Sequence, residues 1–402
     1  MKILFVADGR SPTALSWIDY WVGAGHEVHL VSSFPCVPPG GLKSFVILPV
    51  ALAGIARSDP TKSIGGASRP GWIASLRGLL RPLRYYLGPL SLGRDRTRFR
   101  ALVADLRPDL VHALRIPFEG MLAAATPPGI PLLVSIWGND LTLHAPGSFL
   151  MASQTRQILR RVDGLLADTS RDIRLAQAWG LPSEKPTLVV PGGGGIRLDE
   201  VRKKGEGVVF PEELPPGPIV VNPRGQRPGS LRQDVFFQSI PAILEKIPDA
   251  VFICPSLAGD LDAERRVETL GIRRSTRLWP RLDREQMLAL FKRSLLFVSP
   301  SVHDGTPNSL LEAMACGCFP VVGDIESMRE WIKSGSNGLL VDAASARSLA
   351  EGMVAALMDP ALRARAKNEN AHTVAERADY RREMAKAEAF YRKLLAEDRL
   401  LP

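Results

Sequence analysis

Leu295-Leu296-Phe297-Val298-Ser299-Pro300-Ser301-Val302-His303-Asp304-Gly305-Thr306-Pro307-Asn308-Ser309-Leu310-Leu311-Glu312-Ala313-Met314-Ala315 reads as a strand, a turn and a helix in direct succession. Leu295–Val298 is continuous apolar sequence, as a strand buried on both faces requires. Gly305 and Pro307 break it. Thr306 is placed as an N-cap with Pro307 as the first helical residue. The same unit recurs on both sides. Upstream, strands are predicted at Ile219–Val221, Val251–Cys254 and Thr276–Leu278, with a helix over Asp234–Ile247 and a second, Glu285–Lys292, opened by a capping box of Asp283 and Gln286. Downstream come Phe319–Val322 and Gly338–Val341, and from Ala344 the pattern is helical. The first half repeats the alternation, with strands at Ile3–Ala7, Glu27–Ser32, Leu110–Leu114, Pro131–Ile136, Gly164–Ala167 and Thr187–Val190. Strand–helix alternation of this kind gives parallel sheets covered by helices. The expected fold class is therefore α/β, with two doubly wound, Rossmann-like domains.

The glycine run Gly192–Gly195 and the segment Glu212–Pro218 set the boundaries. Residues 1–196 form an N-terminal domain carrying a basic insertion over about 57–107. Residues 197–217 are a linker, 218–378 a C-terminal domain, and 379–402 a charged terminal helix. The glycine run lacks the Lys-Ser/Thr of a phosphate-binding loop and reads as a hinge. Two such domains would face each other across a cleft, and ligands of such folds bind at the carboxyl ends of the strands.

The 402 residues are 45% hydrophobic and 23% charged, ordinary for a globular protein, and no apolar run is long enough to span a membrane. Asp8 cuts short the apolar start of the chain, so the first residues read as a buried strand and not a signal peptide, with a cytoplasmic location expected. Cys36, Cys254, Cys316 and Cys318 have no paired spacing and read as reduced thiols. The net charge of +9 is concentrated: residues 57–107 hold eleven Arg or Lys against three Asp. Interleaved with Trp72, Tyr85 and Tyr86, this segment fits peripheral contact with the inner face of an anionic membrane, or simply a solvated helical insertion. No nucleic-acid reading module accompanies it, and no nucleic-acid partner is expected.

The turn–helix junction holds the chemistry. The amides of Asn308, Ser309 and Leu310 would point out of a helix N-terminus, an anion site suited to a diphosphate. Asp304 lies just before the helix, and Glu312 lies within it on a side it can share with the helix start. Two carboxylates flanking a diphosphate are placed to accept hydrogen bonds from hydroxyls on either side. Either residue alone would pass as an ordinary turn or surface residue; the combination points to function. Arg224, after the strand Ile219–Val221, and Arg232, before the next helix, are the phosphate clamps, with Arg227 in reserve.

The stretch 299–342 resembles the signature of retaining glycosyltransferases of family 4, which have the GT-B fold. Their pattern is an acidic residue, seven others and a Glu, followed by an Ala-Met-Ala-x-Gly block; here it runs from Asp304 to Glu312 and through Ala313-Met314-Ala315-Cys316-Gly317. The block from Gly323 to Ile332, with Gly335 and Asn337–Val341, matches as well. The resemblance implies that Glu312 holds the ribose hydroxyls of a nucleotide sugar. Asp304 and the backbone of Gly305 and Thr306 would hold the donor sugar, and Ser309 and Leu310 amides would meet the diphosphate beside Arg224 and Arg232. The family usually has Glu where Asp304 stands and often Lys at the second basic position.

In the first half, Pro131–Leu141 looks like the family's His-Gly-x-Asp strand end, with Trp137 in place of the His and Asp140 kept as a candidate contact to donor sugar or acceptor. His112, at the end of its strand, is a further candidate at the same edge, against the commoner structural reading of a lone His. Gly9 would let backbone approach acceptor or phosphate. Asp304, Asp140 and His112 are thus the candidate catalytic residues.

The resemblance implies transfer to a glycan or lipid-linked hydroxyl acceptor with retention, through front-face substitution that needs neither a protein nucleophile nor a metal; no cofactor is expected. Asp260-Leu261-Asp262 has the spacing of a metal-binding motif but reads as the solvated start of a helix. Rival readings are a sugar-nucleotide epimerase or inverting transferase on the same fold, a non-catalytic nucleotide-sugar binder, and a membrane-binding module.

Overall fold

The computed structural model describes residues 1–50, 71–203 and 207–398, with their side chains except at 71–83 and 397–398. Residues 57–70 of the basic segment lie outside these residues. The chain divides into two compact units: Met1–Gly194 with Arg381–Pro402, and Gly195–Tyr380.

The N-terminal unit runs β1 (Lys2–Ala7), α1 (Pro12–Gly23), β2 (Glu27–Ser32), β3 (Ser44–Ile47), α2 (Gly71–Leu106), β4 (Leu110–Ala113), α3 (Met121–Ala123), β5 (Leu132–Ile136), α4 (Phe149–Arg161), β6 (Gly164–Ala167), α5 (Ser170–Ala178) and β7 (Thr187–Val189). Its seven strands are all parallel, in the order β3-β2-β1-β4-β5-β6-β7. The C-terminal unit runs α6 (Leu198–Arg202), β8 (Ile219–Val221), α7 (Gln233–Leu244), β9 (Val251–Pro255), α8 (Leu261–Thr269), β10 (Thr276–Trp279), α9 (Arg284–Arg293), β11 (Leu296–Ser299), α10 (Asn308–Cys316), β12 (Phe319–Gly323), α11 (Glu326–Arg329), β13 (Leu339–Val341), α12 (Ala346–Met358) and α13 (Pro360–Arg377). Its sheet is again parallel, in the order β10-β9-β8-β11-β12-β13. The last helix, α14 (Tyr380–Asp398), packs on the N-terminal unit, where Tyr391 stacks on Trp21 at 4.2 Å and accepts a hydrogen bond from Trp17 Nε1 at 3.2 Å.

Continuous apolar strands work here because each sheet is covered on both faces, so alternate residues enter different layers. In the C-terminal unit Val220, Phe252, Leu296 and Val321 pack into one layer. Their neighbours Val221, Ile253, Phe297 and Val322 pack into the other. The predicted elements stand within a few residues of these bounds. The exception is β3, a four-residue, largely half-buried edge strand that the sequence reading lacks although Phe45-Val46-Ile47-Leu48 is itself an apolar run.

The glycine run contributes packing as well as a boundary. Gly195 has φ +96°, and a Cβ there would stand 2.4 Å from the Ala378 carbonyl oxygen, beside the Ile196 N–H to Ala378 O bond of 2.7 Å. The predicted linker is not a free tether. Val201 of α6 is buried, and Phe210 stacks on Trp279, both within the C-terminal unit. All four cysteines are free thiols. Among the described residues no helix is long and apolar enough to cross a membrane.

Candidate functional site

In each sheet the strand order reverses its direction of growth at one point, between β8 and β11 in the C-terminal unit and between β1 and β4 in the N-terminal unit. Loops leaving adjacent strands on either side of such a point diverge and open a crevice at the carboxyl edge.

In the C-terminal unit the loop after β8 carries Arg224 and the loop after β11 carries Asp304. The two meet there: Arg224 Nη1 donates to Asp304 Oδ2 in an ion pair whose side chains are 10% and 13% exposed. Asp304 also accepts from Ser301 Oγ at 3.2 Å and from the Gly305 N–H at 3.1 Å, and its carbonyl accepts from Ser327 Oγ at 2.8 Å. A carboxylate and a guanidinium assigned separate roles from sequence are therefore partners. The remaining N–H groups of Arg224 have no protein partner among the described residues.

The helix start differs from the expected one by a residue. Pro307 sits at the N-cap with extended backbone (φ −68°, ψ 124°), α10 begins at Asn308, and no side chain caps it. Thr306 does not cap because its hydroxyl accepts from Trp331 Nε1 at 3.0 Å and is buried; the indole N–H has no water to turn to. Leu310 is corrected too. Its N–H is taken by the Pro307 carbonyl at 3.0 Å and its side chain is fully buried, so the open amides are those of Asn308 and Ser309. Asn308 Oδ1 is buried at this helix start with no partner among the described residues.

Glu312 lies four residues on from Asn308, one turn along the same face. Its Oε1 accepts from Arg284 Nη1 at 2.5 Å. Arg284, the first residue of α9, bonds through Nε to Glu200 of α6 as well. Burial pushes the Glu312 carboxyl above the usual range, and Arg284 pulls it back. Arg232 is 39% exposed and forked onto Asp234 at 2.9 and 2.7 Å, while its own N–H holds the Pro300 carbonyl at 3.0 Å. That backbone bond ties the loop before α7 to the loop after β11. Arg227, the reserve, is an exposed residue whose Nε donates to the Arg224 carbonyl at 3.3 Å. Asp260 caps α8 through the Ala263 N–H at 2.9 Å and Asp262 pairs with Arg266 at 2.8 Å, so the acidic pair serves the helix it opens.

In the N-terminal unit His112 has to be corrected. It is fully buried, with Nε2 on Ser135 Oγ at 2.9 Å, Nδ1 on the Tyr391 hydroxyl, and Phe5 and Trp17 around the ring. Burial drops its pKa to about 3, which holds the ring neutral. His112 is a core link between β4 and α14 and presents no nitrogen to a substrate. The sequence placed it at the strand end but could not tell which face of β4 it joins. Asp140 is fully buried and accepts from Arg115 at 2.6 and 3.1 Å and from the Ile116 N–H at 3.1 Å. Trp137, before it, is half-buried. Gly9 donates its N–H to Ser32 Oγ at 3.1 Å, and a Cβ there would lie 2.5 Å from Cys36 Sγ; close packing under the β1 turn requires the glycine.

Residues not foreseen from sequence surround these: Arg284, Ser301 and Trp331 in one unit, Arg115 and Glu119 in the other. The rule that found Arg224, a basic residue just past a parallel strand, also finds Arg115. Arg284 follows the predicted capping box directly, but the direction of its side chain has no signature in sequence.

Comparison with known proteins places both units. The family described as "Glycosyl transferase 4-like domain" matches residues 8–193, and "Glycosyl transferases group 1" matches residues 232–373. A lipopolysaccharide core biosynthesis mannosyltransferase of Rhizobium leguminosarum is 26% identical over 254 residues, 61% of this chain and 68% of that protein. Among solved structures, sucrose-phosphate synthase from Thermosynechococcus elongatus aligns over 99% of this chain and 100% of its own with TM-score 0.72 at 15% identity. The Anabaena protein HepE, solved in complex with UDP, aligns over 98% and 100% with TM-score 0.67 at 14% identity. Matched in turn along its two halves, the chain belongs to the group 1 glycosyltransferases and has their GT-B fold.

Proposed function

We propose that this enzyme takes a sugar from a nucleotide diphosphate sugar and passes it to a hydroxyl of a glycan or lipid-linked acceptor with retention of anomeric configuration. The observation that carries the reading is the switch point of the C-terminal unit. There an uncapped helix start, a guanidinium with free N–H groups and a carboxylate converge at one sheet edge. The Asn308 and Ser309 amides and Arg224 take the diphosphate, with Arg232 as second cation once it leaves Asp234. Glu312 accepts the ribose hydroxyls. Asp304 and the Gly305 and Thr306 backbone hold the donor sugar, and Asn308 Oδ1 is an acceptor open to a ligand hydroxyl.

In the reaction the C1–O bond to the diphosphate breaks and the acceptor oxygen bonds C1 from the same face. The acceptor proton passes to the departing diphosphate oxygen. Positioning and stabilisation of leaving-group charge supply the catalysis, without a metal or cofactor. Asp140 belongs to the acceptor side.

The Rhizobium relative's name and the charge of the 57–107 segment favour an envelope glycan or lipid-linked acceptor met at a membrane surface. Tyr86, Leu87 and Leu90 on α2 are exposed, as are Arg94 and Arg98 further along the same helix and Phe149 on α4.

Thermal shift with UDP, GDP, ADP and CMP tests the donor site. One diphosphate at 100 times its dissociation constant stabilises the wild type by about 2.7 kcal/mol and leaves Glu312→Ala much less stabilised. Equal stabilisation of both proteins removes Glu312 from the site. Activity that depends strictly on manganese overturns the metal-free mechanism.

A further inference from the structure

We infer that Arg284 is a positioning residue for the donor nucleotide: it fixes the Glu312 carboxylate in the geometry and charge state that accept the ribose hydroxyls, and is itself anchored by Glu200. This rests on the reading of Glu312 as the ribose-binding carboxylate.

Three elements bring the network together. Glu312 projects from α10, Arg284 from the first turn of α9, and Glu200 from α6 in the segment that precedes β8. Arg284 Nη1 meets Glu312 Oε1 at 2.5 Å and Arg284 Nε meets Glu200 Oε2. Glu312 is only 13% exposed, whereas Arg284 is 47% exposed, so the carboxylate sits inside and the guanidinium covers it. Oε2 of Glu312 carries no hydrogen bond among the described residues. One oxygen is thus committed to holding the side chain and the other is open to a ligand.

A carboxylate this buried would protonate readily, and a protonated carboxyl accepts fewer hydroxyl hydrogen bonds. Arg284 from α9 favours its ionised form and Glu200 from α6 opposes it. The remaining charges near α10 sit towards its far end: Lys292 acts on Cys316, and Lys367 of α13 lies against Gly317. Arg284 is therefore the one cation among the described residues that acts on Glu312. Arg284 and Glu200 also line a cavity of about 290 Å³, so shortening the side chain at 284 disturbs no packed core.

The test uses the full chain and titration calorimetry with UDP, GDP and ADP and their 2′-deoxy forms, from pH 6 to pH 9. The wild type binds one ribonucleotide, discriminates against its 2′-deoxy form, and does so independently of pH; Glu312→Ala loses the discrimination. Arg284→Met binds about tenfold more weakly at pH 7, discriminates less against the 2′-deoxy form, and weakens further as the pH falls, because Glu312 without its cation takes up a proton. Arg284→Lys recovers most of the affinity and flattens the pH profile. Arg284→Met with full ribose discrimination and flat pH dependence overturns the positioning role and leaves the donor site intact. Glu312→Ala with wild-type affinity and discrimination overturns the donor-site reading, and this inference with it.

Discussion

The two units carry the same device, a helix starting just past the first strand flanking the switch point or its neighbour, and finish it in opposite ways. After β1, Ser11 caps α1 by accepting from the Ala14 N–H at 3.4 Å, and the adjacent charges are neutralised in pairs, Arg10 on Asp8 at 3.0 Å and Arg115 on Asp140. After β11, the N-cap position holds Pro307, whose side chain has no acceptor, and the guanidinium of Arg224 is only partly used. A sealed helix start has little to offer an anion, and an open one beside a cation is built for it. One fold used twice thus gives two surfaces of different chemistry, and the cap residue is where they part.

The contrast breaks most easily at Arg224. Arg224→Ala removes the cation from the open start and leaves Asp304 unpaired. The expected loss is about 2–3 kcal/mol of nucleoside-diphosphate affinity, on the order of a hundredfold, read by calorimetry. The matching change in the N-terminal unit, Arg115→Ala, leaves that affinity alone. Equal losses from both variants would mean that the phosphate site is not confined to the C-terminal unit.

His112 tests the other half of the comparison. His112→Ala opens a cavity and strands the Ser135 and Tyr391 hydroxyls, at a cost of about 3 kcal/mol in unfolding free energy, with nucleotide affinity unchanged. The pH sign is definite. Its folded pKa is lowered from 6.5 to about 3, so wild-type stability is full above the unfolded value and erodes as the pH falls below 6.5, a slope the Ala variant lacks. A folded His112→Ala protein that binds nucleotide and cannot transfer would restore the histidine to the catalytic list.

A smaller change should convert one helix start towards the other. Pro307→Asp places a side-chain acceptor and a negative charge on the open amides. The helix gains about 0.5–1 kcal/mol from the cap, partly offset by the loss of proline's rigidity. Diphosphate affinity falls about tenfold, since the new carboxylate competes for the same N–H groups. Undiminished affinity would show that the amides of Asn308 and Ser309 do not carry the phosphates.

Sequence went far where a local rule applied. The continuous apolar runs at Ile219–Val221 and Gly164–Ala167 gave strands at those bounds, and the Asp283–Gln286 capping box stands as read. It stopped where a residue's partner lies far along the chain. Thr306 reads as an N-cap until Trp331, twenty-five residues on, claims its hydroxyl. His112 reads as an edge residue until Tyr391, 279 residues on, covers it. Gly9 reads as room for a ligand until Cys36 fills that room. Propensity and periodicity describe an element's own backbone and faces; they hold no information on which side chain arrives from elsewhere.

Glu119 gives the smallest expected effect and the most direct measure of how well the N-terminal edge is neutralised. The residue is 3% exposed; Ser33 Oγ donates to its Oε1, while Oε2 has no partner among the described residues. Burial raises its pKa, Arg115 and the Ser33 hydrogen bond oppose the rise, and Asp8 adds to it. A raised carboxyl pKa means that the folded state prefers the proton. The charge therefore weighs against folding above the unfolded value near 4.5, increasingly so up to the folded pKa. Glu119→Gln removes that burden, so the variant should be more stable than the wild type at pH 8 by about 1 kcal/mol and the two should converge towards pH 4, in contrast to the acid-side erosion set by His112. Chemical denaturation at pH 4, 6 and 8 reads the difference. If Glu119→Gln is instead destabilised at pH 8, the carboxylate is held by its cations and the N-terminal edge is fully neutralised. If it gains stability and loses transfer, the open Oε2 is a contact for the acceptor, and the sealed unit has an opening of its own.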